Sequence, residues 1–163
     1  MEIITIKESH YPTIASIYAE GIATGIATFE TIVPSWETWD NAHLKTCRLA
    51  LIDQSHIVGW AALSPVSARE VYRGVAVVSI YVSKAVRGRG IGKLLLTNLI
   101  LQSETNDIWT LQSGIFSNNK ASISLHQKCG FRMIGYRERI AQRDGNWMDN
   151  TLMERRSKVI GLP

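Results

Sequence analysis

No apolar run in this sequence approaches the ~20 residues that span a bilayer, so no transmembrane helix is expected. The opening residues, MEIITIKESH, lack a basic segment followed by an apolar one, and no signal peptide is expected. Cysteine is scarce: Cys47 and Cys129 only, without Cys-x-x-Cys spacing and each in apolar surroundings. Buried free thiols in a cytoplasmic protein are expected rather than a disulfide. No His/Cys grouping has metal-ligand spacing, so no metal is expected. Repeats, low-complexity tracts and linkers are missing, and 163 residues suit one domain spanning 1–163. No basic stripe is interleaved with aromatics, which argues against nucleic-acid binding.

What is present is an ordinary globular composition, 45% hydrophobic and 20% charged, with a net charge of +4 that favours an acidic partner. The most informative stretch is Val75 to Leu96, VAVVSIYVSKAVRGRGIGKLLL. It opens as a β-branched apolar run, which reads as a buried strand. A basic turn follows, Arg87-Gly88-Arg89-Gly90-Ile91-Gly92, and then an apolar helix. Glycines in such a turn allow several N–H groups to face one anion, and the helix dipole adds to them. The P-loop pattern needs Ser or Thr after Gly-Lys, and Leu94 follows Gly92-Lys93. The dinucleotide pattern needs a third glycine where Lys93 stands.

Periodicity and capping signals predict strands over 1–7, 48–53, 57–63, 75–82, 108–116, 131–137 and 147–156. They predict helices over 11–23, 36–45, from 91 to about 104, and 120–128, with Ser35 capping the second. Gly59 marks a possible bulge, and Asp144-Gly145 the core of a hairpin turn. Trp36 and Trp39, at helix spacing, are assigned to the core or an interface. This order predicts a mixed-sheet α/β (α+β) fold with a parallel pair in the middle and antiparallel flanks.

Arg-x-x-Gly-x-Gly after a strand ending Tyr81-Val82 resembles the coenzyme A pyrophosphate loop of the GNAT superfamily of N-acetyltransferases. Asn119-Lys120-Ala121-Ser122-Ile123-Ser124-Leu125-His126, followed by Cys129-Gly130-Phe131, is similar to the branch containing phosphinothricin and methionine sulfoximine acetyltransferases. Ala27-Thr28-Phe29-Glu30, Arg69-x-x-Tyr72-Arg73 and Gly145-Asn146-Trp147-Met148-Asp149 resemble the same branch, so the motifs cover nearly the whole chain in order.

The resemblance implies a GNAT fold whose central parallel strands splay around acetyl-CoA. It implies direct transfer of acetyl to a small amino-acid-like amine, in a cytoplasmic protein that forms homodimers. The cosubstrate would be held by Tyr81, Val82, Arg87, Gly88, Arg89, Gly90, Ile91, Gly92, Lys93, Asn119 and Ser122. The Val82 N–H would polarise the thioester carbonyl. His126 stands where the family's tyrosine acts as acid toward the leaving thiolate. Relatives carry a glutamate base where this chain has Val77, so the base falls to Glu30, His126 or solvent. Phe29, Glu30, Arg69 and Tyr72 would meet the acceptor, with Arg69 receiving its carboxylate or phosphinate. The basic runs 137–143 and 155–158 are assigned to solvated strand edges or a dimer seam. Two alternatives stay open. One is another amine or a peptide N-terminus as acceptor; the other is a non-catalytic acyl-CoA-binding module, which Val77 favours.

Overall fold

The computed structural model describes residues 1–163. Seven strands form one sheet: β1 (Glu2–Thr5), β2 (Arg48–Asp53), β3 (His56–Pro65), β4 (Val75–Val82), β5 (Thr110–Phe116), β6 (Arg132–Arg143) and β7 (Asn146–Arg156). Their spatial order is β1-β2-β3-β4-β5-β7-β6. Only β4 and β5 run parallel; every other neighbouring pair is antiparallel. Four helices flank the sheet: α1 (Tyr11–Ala23), α2 (Trp36–Ala42), α3 (Ile91–Thr105) and α4 (Lys120–Lys128). None is long and apolar enough to cross a membrane.

Strand alternation divides the core into two layers. Leu49, Leu51, Ala61 and Leu63 pack in one cluster with Leu95, Leu96 and Leu99 of α3. Their neighbours Ala50, Trp60 and Ala62 turn the other way, against Ile14 and Ile17 of α1 and Trp39 of α2. Trp39 is fully buried, and Trp36 stacks on it at 5.7 Å between ring centres. Both tryptophans therefore belong to the packing of α2.

Most expected elements are present, and the departures have local causes. Helix α2 stops at Ala42 rather than 45. The Arg48 side chain bonds the carbonyls of His43 (3.1 Å) and Leu44 (2.7 Å) and the Asp40 carboxylate (2.5 Å), so the chain past Ala42 turns around a buried guanidinium. Strand β5 begins at Thr110 rather than 108, because the N–H groups of Trp109 and Thr110 both donate to the Gly74 carbonyl. In β3 the bulge falls at Val58: Leu51 faces Gly59 and Ile52 faces Ile57.

Strand β6 differs most, continuing past Arg137 to Arg143. Glu138, Arg139 and Ile140 leave the register there, and the Asp149 carboxylate receives the Arg139 N–H at 2.7 Å and the Tyr136 hydroxyl. The expectation that residues 137–143 are a solvated edge therefore fails at its end, because Arg143 is buried. Cys47 is buried and Cys129 half-buried, both as free thiols, and burial pushes both thiols up.

Helix α1 lies against β4 through Gly21. A Cβ there would stand 2.5 Å from the Tyr81 ring. Alanine improves helix propensity by ~1 kcal/mol, but the overlap with a packed ring costs more. Gly21→Ala is expected to lower stability by about 1–2 kcal/mol in urea denaturation, net of that gain; an unchanged or higher midpoint would contradict this packing.

Candidate active site

Strands β4 and β5 pair only where Val75, Ala76 and Val77 meet Thr110, Leu111 and Gln112. Beyond them β4 follows β3 to Val82 and β5 follows β7 to Phe116, so the two inner edges separate. Two cavities open along the gap, of about 350 Å³ and about 330 Å³. They share Ala27, Ile80, Tyr81, Asn119 and Ser122 as walls.

The backbone of β4 explains the chemistry of the first cavity. Gly59 is opposite Val82, and the Ser83 N–H donates to the Val58 carbonyl at 2.9 Å. In an antiparallel ladder this makes Gly59–Val82 a non-hydrogen-bonded pair. The Val82 N–H therefore points away from β3, into the gap. Beyond β4 come a single 3-10 turn (Lys84–Val86) and the glycine turn. Gly88 and Gly90 hold φ of +78° and +79°, with open space beside each α-carbon. Gly90 is the N-cap of α3 and offers no side-chain cap, so the first-turn N–H groups of α3 remain available to an anion. This is a cradle suited to a pyrophosphate.

Of the residues assigned to the cosubstrate, Tyr81, Val82, Arg87, Gly88, Gly90, Ile91, Gly92, Asn119 and Ser122 line this cavity. Arg89 and Lys93 do not; Arg89 pairs with Asp53, at the end of β2, at 3.1 Å. Asn119 also has a structural task. Its Oδ1 accepts the Ser122 N–H at 3.1 Å, capping α4, and its Nδ2 donates to the Ile26 carbonyl at 3.2 Å. The burial of Tyr81 pushes its phenol well above the usual range, and nearby Tyr18 adds to the effect.

The second cavity is walled by Thr28, Phe29, Glu30, Val77, Ser113 and His126, among others. Phe29 meets Phe116 edge-on at 4.4 Å. Glu30 is exposed at the rim, whereas His126 is 1% exposed. The His126 Nδ1 lies 2.8 Å from the Ser122 carbonyl. A carbonyl only accepts, so Nδ1 carries the proton and the neutral ring presents a lone pair at Nε2. That Nε2 is buried and has no protein partner. Burial lowers the His126 pKa, partly opposed by the bond to Ser122. At neutral pH His126 is thus neutral, and its ring lines this cavity.

Arg69 and Tyr72 stand apart from both cavities. The Arg69 guanidinium lies over the Tyr72 ring at 5.6 Å, and Tyr72 borders a separate hollow with Val66 and Glu154. The sequence reading missed Asn150, whose buried Oδ1 has no partner and which lines the second cavity. Asn150 follows directly on the Trp147-Met148-Asp149 motif, and that adjacency was the available signal.

The acetyltransferase (GNAT) family matches residues 18–131, and the chain belongs to this family. It is 28% identical over 161 residues to a phosphinothricin N-acetyltransferase of Alcaligenes faecalis, covering 92% of this chain and 79% of that one. It is 30% identical over 149 residues to an L-methionine sulfoximine/L-methionine sulfone acetyltransferase of Pseudomonas paraeruginosa, covering 88% and 87%. In structure it is similar to a GNAT phosphinothricin acetyltransferase of Sinorhizobium meliloti solved with acetyl-CoA, with a TM-score of 0.86, 27% identity and coverage of 95% and 87%. The protein is an acetyl-CoA-dependent N-acetyltransferase.

As the base, His126 would give a defined pH profile. Free histidine loses its proton near pH 6.5, and burial lowers that value for His126. The acid limb of kcat/KM is expected to inflect below pH 6.5 and to vanish in His126→Gln. An inflection above 6.5, or one that survives the substitution, would remove His126 from proton transfer. Stability follows the same sign: the contribution of neutral His126 is complete above pH 6.5 and declines as pH falls from there toward the folded-state value.

Proposed function

We propose that this protein acetylates the amine of a small amino-acid-like acceptor of the phosphinothricin, methionine sulfoximine or methionine sulfone type. The observation that carries the reading is the pair of adjoining cavities in the β4–β5 gap, one walled by the glycine turn and one lined by the buried His126. The relatives named for those acceptors support the substrate class.

Bound acetyl-CoA supplies an activated acetyl thioester. The glycine turn and the start of α3 hold its phosphates, with Arg87 adding charge. The Val82 N–H donates to the reacting carbonyl, a preorganised donor inside a partly dry gap. His126 Nε2 takes a proton from the amine and, once charged, returns it to the departing sulfur. Glu30, at the rim, attracts the cationic amine toward the cavity. Val77 occupies the family's glutamate position as an apolar wall, so the histidine takes over proton acceptance. Arg69 engages the acceptor carboxylate or phosphinate only after the 66–73 segment moves toward the gap, and Tyr72 moves with it.

In this reading residues 1–163 work as one domain, in the cytoplasm, with no metal, nucleic acid or membrane involved. The protein works as a homodimer. Met133, Tyr136, Ile140 and Trp147 are exposed on the β6–β7 hairpin at the end of the sheet, an apolar surface suited to a second copy.

Thiol release from acetyl-CoA, measured with methionine sulfoximine, methionine sulfone, phosphinothricin, a polyamine and a short peptide, tests the substrate class. Release with the first three alone is expected. Release with the peptide or polyamine alone would overturn the substrate class while keeping the chemistry.

A further inference from the structure

Arg143 is one of two buried arginines; Arg48 holds carbonyls close to it along the chain, whereas those held by Arg143 lie 113 to 121 residues away. It sits at the end of β6, beside the hairpin turn, and is 8% exposed. Its Nη2 donates to the Ile22 carbonyl at 2.7 Å. Its Nη1 donates to the Glu30 carbonyl at 2.9 Å and also to the Thr28 carbonyl. The Asp144 carboxylate, 3.4 Å from Nε, is mostly exposed. Its closest partners are thus backbone carbonyls.

Those carbonyls bracket one segment. Ile22 lies in the last turn of α1, and residues 24–30 leave it without regular structure. Thr28, Phe29 and Glu30 form one wall of the second cavity. Helix α1 has no basic residue of its own in its last turn, and Arg143 brings a cation to its negative end. The planar fork reaches three carbonyls at once, which an ammonium on a flexible stem does less well.

We infer that Arg143 is a positioning residue for the acceptor: it clamps residues 22–30 and so fixes where Phe29 and Glu30 stand in the cavity. This rests on the second cavity being the acceptor site. The cosubstrate cavity depends less on the clamp, because neither Thr28 nor Glu30, whose carbonyls Arg143 holds, lines it.

The test uses Arg143→Ala and Arg143→Lys in the full chain. Misplacing the wall should raise the amine KM by about tenfold to a hundredfold in Arg143→Ala and less in Arg143→Lys. The acetyl-CoA KM should change much less, and millimolar guanidinium should restore part of the loss in the alanine variant. Equal changes in both KM values, or none, would overturn the inference. Should the alanine variant fail to fold, the lysine variant is read by the same two KM values.

A second readout needs no acceptor. The chain has three phenylalanines, Phe29, Phe116 and Phe131, so fluorine NMR of protein labelled with para-fluorophenylalanine gives three signals. Arg143→Ala should move those of Phe29 and its partner Phe116 most, and that of Phe131, which meets neither ring and packs edge-on against His126, least. Three unmoved signals would overturn the clamp. Moved signals with an unchanged amine KM would overturn its role in acceptor binding. If the wild-type protein turns over none of the amines, the substrate proposal fails separately and the fluorine spectra still decide the clamp.

Discussion

The site depends on a hydrogen-bond ladder that stops. β4 and β5 hold each other through Val75–Val77 and Thr110–Gln112, and then each follows its other neighbour. An unpaired strand edge inside a protein is costly unless something satisfies its N–H and C=O groups. Here the edge faces a cavity instead of core, and the Val82 N–H points into it. An extended ligand with its own amides can complete the ladder, which gives binding and alignment at once.

The elements around the gap supply the rest. The glycine turn and uncapped start of α3 lie at one end of β4, where a phosphate would sit. At the other side, α4 brings His126 to the gap through a cap at Asn119 and a glycine just past its end. Asn119 ties α4 to Ile26, and Arg143 ties the hairpin to Ile22, Thr28 and Glu30. The segment after α1, which has no regular structure, is thus held from two directions. Both anchors are side chains from the distal half of the chain.

How much of this the sequence discloses depends on range. The 75–96 unit is legible because its signals are local: a β-branched run, glycines at fixed positions, then a helical apolar spacing. Helix α4 is legible from Asn119 and Gly130 for the same reason. Strand β6 past Arg137 is not, because most of its residues are exposed, no apolar alternation marks them, and its continuity rests on Asp149 across the ladder. Arg143 reads as one more surface cation, since its partners lie 113 to 121 residues away. Val77 signalled a changed base, but only the bond from Nδ1 to Ser122 fixes which nitrogen of His126 is free. Arg69 matched a motif while its side chain rests on Tyr72, so sequence position alone did not put it at the cavity.

In this mechanism acetyl-CoA completes the open edge of β4. Amide hydrogen exchange resolved to single residues by NMR tests it most directly. Adding acetyl-CoA should slow exchange at the Val82 N–H and at the first-turn N–H groups of α3, while the Ser83 N–H, already bonded to Val58, changes little. Unchanged exchange at Val82 under saturating acetyl-CoA would contradict the account.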